Sequence, residues 1–419
     1  MKEKHKKPSG SALVILIMLL FTVTILIGVG AELLVRSFKE SKQQQNIVAE
    51  AENVARAGLI DAIAWFKRQP QQPVKSGYPP TTYAWEDGAF DPRTSTDPAH
   101  CDTIDESIGL VKEYPLSENG LRWARYEVRR QTNPAVAGYE PFAVHDITAQ
   151  RLHSGEKNGE GLVWYLACTG YIFRRRDPSV AYNVSPNEVI AKTKVSTEIR
   201  RLSLRLPAEA AVIVRYGGGS SASSRKVNLY KNGRIVGGSK IGCARAFGYQ
   251  PYLYSGSTVT GSPTYQTGVD TPTVNYVLGV SSTELKSMAD YLVNSVSELP
   301  TPLPDMSLIF INGNATFDSS KQLRSSGILF VNGNLTISAD SNCLYSGLIY
   351  VVGTATIYDP CLISGCVIAY EGLTLSRSTA TDIAEIDYDA DILNSIRQII
   401  CQYRENKSIY QVFSGLAGL

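Results

Sequence analysis

Seven cysteines are the first residues of this chain to weigh for chemistry: Cys101, Cys168, Cys243, Cys343, Cys361, Cys366 and Cys401. None forms a C-x-x-C pair, and only four histidines accompany them, so zinc-site spacing is absent. NCLYSG (342–347) and PCLISG (360–365) align with each other. Strands stacked at about 4.8 Å would set Cys343 beside Cys361. Two readings follow: a disulfide, or a buried thiol ladder that packs like any small apolar stack.

Asp387, Asp389 and Asp391 (DYDAD) put carboxylates at alternate positions, as calcium ligands require. No glycine turn or distal bidentate Glu completes a calcium loop. The competing reading is an N-cap, with Asp389 opening the next helix and acids near its positive end. No metal or cofactor is expected. Arg174, Arg175, Arg176, Arg200 and Arg201 could meet an anion, or could be a solvated strand edge that resists aggregation. GGGSSASSRK (217–226) lacks the order of a phosphate loop and reads as a turn.

These residues need elements to position them, and the first element is a hydrophobic run. Ser11 to Ala31 carries no charge for 21 residues, long enough to span a bilayer. The basic segment before it (Lys2, Lys4, Lys6, Lys7) places that end on the cytoplasmic side. After the run, Leu34, Phe38, Ser41, Gln45, Val48, Glu52, Ala55, Leu59, Ala62 and Phe66 recur at steps of four and three. No proline intervenes before Pro70, so one helix is predicted over 11–68, about 87 Å long.

A basic leader ending in Gly10, an apolar span and an Ala-rich amphipathic half (AEAENVARAGLIDAIAWF) together resemble type IV pilin-like proteins. The nearest likeness is to PilX-type minor pilins and K-type pseudopilins of type II secretion. The resemblance implies cleavage after Gly10 by prepilin peptidase, leaving Ser11 as the mature N-terminus. It also implies other pilins or pseudopilins and the inner membrane as partners. Members of that family commonly start with Phe or Met and carry Glu at the fifth mature position. Here those positions hold Ser11 and Ile15, a departure that resembles minor or tip subunits.

The 419 residues suffice for two or three domains, and 43% hydrophobic content marks a largely globular chain. The net charge is +2; without residues 1–10 (four Lys, one Glu) it is 2 − 3 = −1, which makes no global case for nucleic acid. Residues 69–105 are turn-rich. RWARYEVRR, GLVWYLACTGYIFRR and EVIAKTKVSTEIRRLSLRL alternate as strands, so 69–207 reads as a β-rich head packed on the outer half of the helix.

The last third repeats. Gly313, Gly333, Gly353 and Gly372 are spaced by 20, 20 and 19 residues, the mark of a β-solenoid. Ile309/Ile311, Leu329/Val331, Ile349/Val351 and Val367/Ala369 should line its interior. The alternate residues, such as Phe310, Phe330 and Tyr350, are apolar too, so something must cover the outside of that sheet. Helices expected at 282–296 and 390–403 are the candidate covers. The solenoid is set at 208–405 with an insertion at 243–281 and a tail at 406–419. That region resembles the β-helical C-terminal domains fused to PilX-type N-termini.

The fold expected is α+β: a long pilin-like helix, an antiparallel head and a C-terminal β-solenoid. The function expected is structural, a minor or tip subunit of a type IV pilus or type II pseudopilus. The Tyr-, Ser- and Gly-rich 243–281 segment suits a surface or glycan ligand. The alternative is a bitopic envelope protein whose solenoid is structural or adhesive. A polysaccharide-active enzyme is the least favoured reading. The only aspartates of the repeats are Asp318, Asp340 and Asp359, all at turns, where glycosidases need clustered carboxylates.

Overall fold

The computed structural model describes residues 11–68, 72–74, 102–105, 109–117, 120–128, 144–151, 161–231, 233–254, 256–376, 382 and 384–416. Helix α1 (Ser11–Arg68) is continuous over 58 residues. Ala51, Val54, Ala55, Leu59, Ala62 and Phe66 are buried, a helical stripe against the head. The expected stripe put Glu52 on this face. Glu52 instead flanks it, paired with Arg56 at 2.6 Å, and Ala51 holds the seam.

The reason is how closely the sheet approaches. A Cβ on Gly170 would meet the Ala51 carbonyl and come within 2.6 Å of the Ala55 amide. One on Gly58 would lie 2.8 Å from the Tyr126 ring. Only small residues allow backbone to lie on backbone this tightly.

The head's strands are β1 (Asp102–Asp105), β2 (Gly109–Pro115), β3 (Arg122–Val128), β4 (His145–Asp146), β5 (Val163–Arg174) and β6 (Glu188–Arg201), with a helical turn α2 (Thr148–Arg151). The sheet runs β1-β2-β3-β5-β6, antiparallel throughout, and β4 pairs with β5.

The solenoid begins with β7 (Ala210–Tyr216), β8 (Val227–Tyr230), β9 (Arg234–Val236), β10 (Ile241–Phe247), β11 (Tyr252–Leu253), β12 (Thr258–Thr260) and β13 (Tyr265–Thr267). The chain then leaves through two short helices, α3 (Val274–Leu278) and α4 (Ser282–Met288). It resumes with β14 (Tyr291–Val293), β15 (Ser307–Ile311), β16 (Ala315–Phe317), β17 (Arg324–Val331), β18 (Leu335–Ile337), β19 (Cys343–Val351), β20 (Thr354–Tyr358), β21 (Cys361–Ala369), β22 (Gly372–Ser376) and β23 (Ala384–Tyr388). Helix α5 (Ala390–Ile399) and strand β24 (Tyr403–Leu416) follow.

Every pairing between the solenoid's described strands is parallel, and Gly347 sits within β19, in register with Gly327 and Gly365. There φ is 152° and a Cβ would run into the Gly327 carbonyl oxygen on the neighbouring coil. Ile309, Leu329, Ile349 and Val367 line the interior, as the repeat predicts. Their neighbours Phe310, Phe330 and Tyr350 form an outer stacked ladder, with ring centroids 4.7 and 5.1 Å apart. Leu278, Leu285, Met288, Leu393 and Ile396 cover that ladder, so the cover the both-sides-apolar pattern demands is present.

Four expectations are corrected. Segment 243–281 is not an insertion: β10, β11 and β12 make another coil, stacked on β7, β8 and β9, and β13 stacks in turn on β10. The helix expected at 282–296 ends at Met288, because Tyr291–Val293 satisfies its backbone as a parallel strand on Ile309–Ile311. The helix expected to reach 403 stops at Ile399, since Tyr403 is buried with its ring 5.2 Å from that of Phe66. The 406–419 tail contains most of β24, which pairs antiparallel with β6 and forms the edge of the head sheet. The solenoid is therefore nested between two adjacent strands of the head.

Polar bonds fix this joint. Ser203 and Arg205 amides donate to the Leu278 and Val277 carbonyls at 3.0 and 2.8 Å. Arg200 reaches Glu284 at 3.2 Å, and Ser287 donates to Asn406 at 2.7 Å. Asp290 accepts from Arg404 at 2.7 Å and from the Leu308 amide at 2.9 Å, tying β15 to β24. Burial works to raise the Asp290 pKa, but Arg404 and the Leu308 amide outweigh it and hold the carboxyl below its ordinary value.

Two tests follow. Gly170→Val should destabilise the head by about 3 kcal/mol through overpacking, read as a lower urea midpoint in detergent. Asp290→Asn should cost about 1 kcal/mol at neutral pH, discounted because that carboxylate is 39% exposed. The folded pKa is depressed, so the contribution is full above the ordinary Asp value of about 3.9 and fades as pH falls through the lower folded value. Melting curves of the two proteins should converge in acid.

Candidate assembly surface

Among the described residues, the first half of α1 lies bare of other elements. Met18, Phe21 and Phe38 are 68%, 68% and 73% exposed, and Val14 to Val35 is apolar with one charge, Glu32. By length and composition this helix can cross a membrane. Its two hydroxyls inside the run are already satisfied. Thr22 donates to the Met18 carbonyl at 2.7 Å and Thr24 to the Leu20 carbonyl at 2.8 Å, which suits a medium without water. Gly28 and Gly30 have open space where a Cβ would stand, a notch into which a second helix can approach closely. Ser11 opens the helix; Gly10 lies outside the described residues.

The other residues singled out in the sequence have ordinary partners. Cys343 and Cys361 oppose each other in register, and both are free thiols. Burial, then the hydrogen bond with Cys343, pushes the Cys361 thiol well up. Burial pushes Cys243 and Cys401 up to about 12, so these buried thiols are poor nucleophiles.

Asp389 caps α5, accepting from the Asp391 and Ile392 amides at 2.9 and 3.0 Å. Asp391 sits in the first turn, and Asp387 lies on β23 with its pKa raised by burial and by Asp389. Among the described residues no group of His, Cys, Asp and Glu is placed to hold a metal.

The arginines are largely engaged. Arg175 lies 2.9 Å from Glu113 and 4.6 Å over the Trp123 ring. Arg174 and Arg176 flank Glu188 at 3.4 and 3.9 Å. Arg200 is buried against Glu284. The Asn314 and Asn334 side chains accept from the Asn334 and Thr354 amides, both at 2.9 Å, and so belong to the coil-to-coil ladder.

One cluster escaped the sequence reading: Arg225 in the loop between β7 and β8, with Arg245 and the exposed rings Phe247 and Tyr249 on the coil stacked on it. Its signal was available, because no acidic residue occurs between Glu209 and Asp270.

Comparison with protein-family models and with curated proteins returns no match. Among solved structures, the crystal structure of the competence-associated pilin ComZ from Thermus thermophilus aligns over 88% of this chain and 98% of its own, at 11% identity and a TM-score of 0.21. So loose a superposition carries no argument from one chain to the other.

A charge in the middle of the apolar run tests the surface. Leu20→Arg should weaken insertion by about 2.5–3.5 kcal/mol, seen as protein released into the supernatant on alkaline extraction of membranes.

Proposed function

We propose that this chain is a structural subunit of a filament of the type IV pilus or type II pseudopilus kind, acting as a minor or tip component. Its first 10 residues are a leader removed by prepilin peptidase. The apolar half of α1 rests in the inner membrane and then packs against other pilins or pseudopilins. The head and solenoid lie on the far side of that membrane and serve assembly or adhesion, without catalysis.

One observation carries the reading. A single unbroken helix is bare and apolar over its first half and clamped to a sheet over its second. An anchor alone needs no rigid continuation into the head, whereas helices that bundle do. The nested solenoid supports a tip or minor position. It is joined to the head at two adjacent strands, so its bulk is fixed to the head. The bitopic-anchor alternative predicts an unprocessed N-terminus.

Mass spectrometry of the chain purified from its own cells should find Ser11 at the mature end, in a fraction that sediments with filaments. An intact Met1, with the protein confined to membranes of cells that make filaments, would overturn the proposal.

A further inference from the structure

The first two coils in chain order carry an unusual charge balance. Between Glu209 and Asp270 the chain has seven basic residues and no acidic one. Carboxylates outside this stretch neutralise three of them: Arg215 meets Glu371 at 2.8 Å, Lys240 meets Glu209 at 2.6 Å and Arg234 meets Glu385 at 3.8 Å. Of the other four, Lys226 and Lys231 are exposed, while Arg225 and Arg245 lie against an aromatic ring and backbone carbonyls. Among the described residues, neither meets a carboxylate.

Arg225 donates to the Ser220 carbonyl at 3.0 Å and to that of Gln250, and lies 4.8 Å over the Tyr249 ring. Arg245 is 9% exposed; its Nε donates to the Gly248 carbonyl at 3.0 Å and its Nη1 has no partner. A buried guanidinium with a free donor and no counter-charge is costly unless something supplies both.

The same loop presents aromatic faces. Tyr249 and Phe247 are about half exposed, and Phe247 stacks on Tyr216 at 5.0 Å. Gly217 packs where a Cβ would meet the Tyr249 carbonyl and come 2.7 Å from Arg245 Cδ, so the rings and the buried charge share one corner. Stacking holds these rings in place before any ligand arrives, which lowers the ordering cost of binding.

We propose that this corner binds a carboxylated sugar unit of an acidic polysaccharide. The pyranose face lies on Tyr249 and Phe247, and the carboxylate meets the Arg225 and Arg245 guanidinium groups as a charge-assisted acceptor. A neutral sugar would leave the Arg245 charge unbalanced. A nucleic acid needs a run of free cations tracking its backbone, and three of the cations here are already neutralised. The inference rests on the adhesive part of the proposed function and is independent of assembly.

The full-length chain in detergent micelles should bind a galacturonic acid tetramer and not its methyl ester. Tyr249→Ala and Arg225→Gln should each weaken that binding about tenfold, with unchanged melting temperature for Tyr249→Ala. Equal binding of the ester, stronger binding of a single-stranded oligothymidylate, no binding of the acid, or an unaffected Tyr249→Ala would each overturn it. Loss of filaments with binding intact would count against assembly alone; lost binding with filaments intact counts against this site alone.

Discussion

The pairing of β24 with β6 constrains everything beyond the head. It requires the chain to leave the head sheet and return to it at one edge. A solenoid wound in simple sequence order enters at one end and exits at the other, far from where it began. This chain meets the constraint by stacking out of order. It starts in the middle at β7 and winds outward to β13. It then crosses back through α3 and α4, and winds from β14 up to β21, β22 and β23. Those last strands pair with β7, β8 and β9 of the first coil. The seam is built from the same parallel hydrogen bonds as the covalently continuous coils, so the two halves bury one common interior. The helices that carry the crossing are the ones that cover the apolar outer ladder.

This arrangement explains what the sequence could and could not reveal. Between Gly313 and Gly372 the coils have nearly constant length, and each places a small residue at a corner, so the period and the inward and outward faces were readable. In the first half the step from Ala210 to its partner Ile241 is 31 residues and that from Arg234 to Thr258 is 24. Loops such as 217–226 absorb the surplus without disturbing the stack, and no regular period survives. The Tyr- and Ser-rich 243–281 stretch then looks like an insertion although its strands obey the same register.

The two misjudged helix ends share a cause. Tyr291–Val293 and Tyr403 lie in sequences with acceptable helical propensity, yet each faces an edge whose backbone groups need partners. Tertiary pairing decides such cases, and nothing local signals it. The antiparallel head was readable because its alternation is local. The seam at Ala51 was misplaced by one position because what selects it is the close approach of Gly170, a residue far off in the chain. The candidate sugar site was hidden for a related reason: its cations and rings are spread over 225–249 and meet only at a coil corner.

The bare half of α1 sets the energetics of whatever this chain joins. In water each exposed Leu, Ile, Val or Phe there forgoes about 1.5–3 kcal/mol, which no isolated subunit can sustain over the span from Val14 to Phe38. Lipid removes that penalty. Transfer from lipid into a bundle of like helices then gains little further hydrophobic free energy, because acyl chains are as apolar as leucine. Any preference for the bundle must come from close packing at notches such as Gly28 and Gly30, and from contacts between heads held rigidly above it. An unbroken helix is suited to that division, since a contact made by the head fixes the position of the apolar half at no added ordering cost.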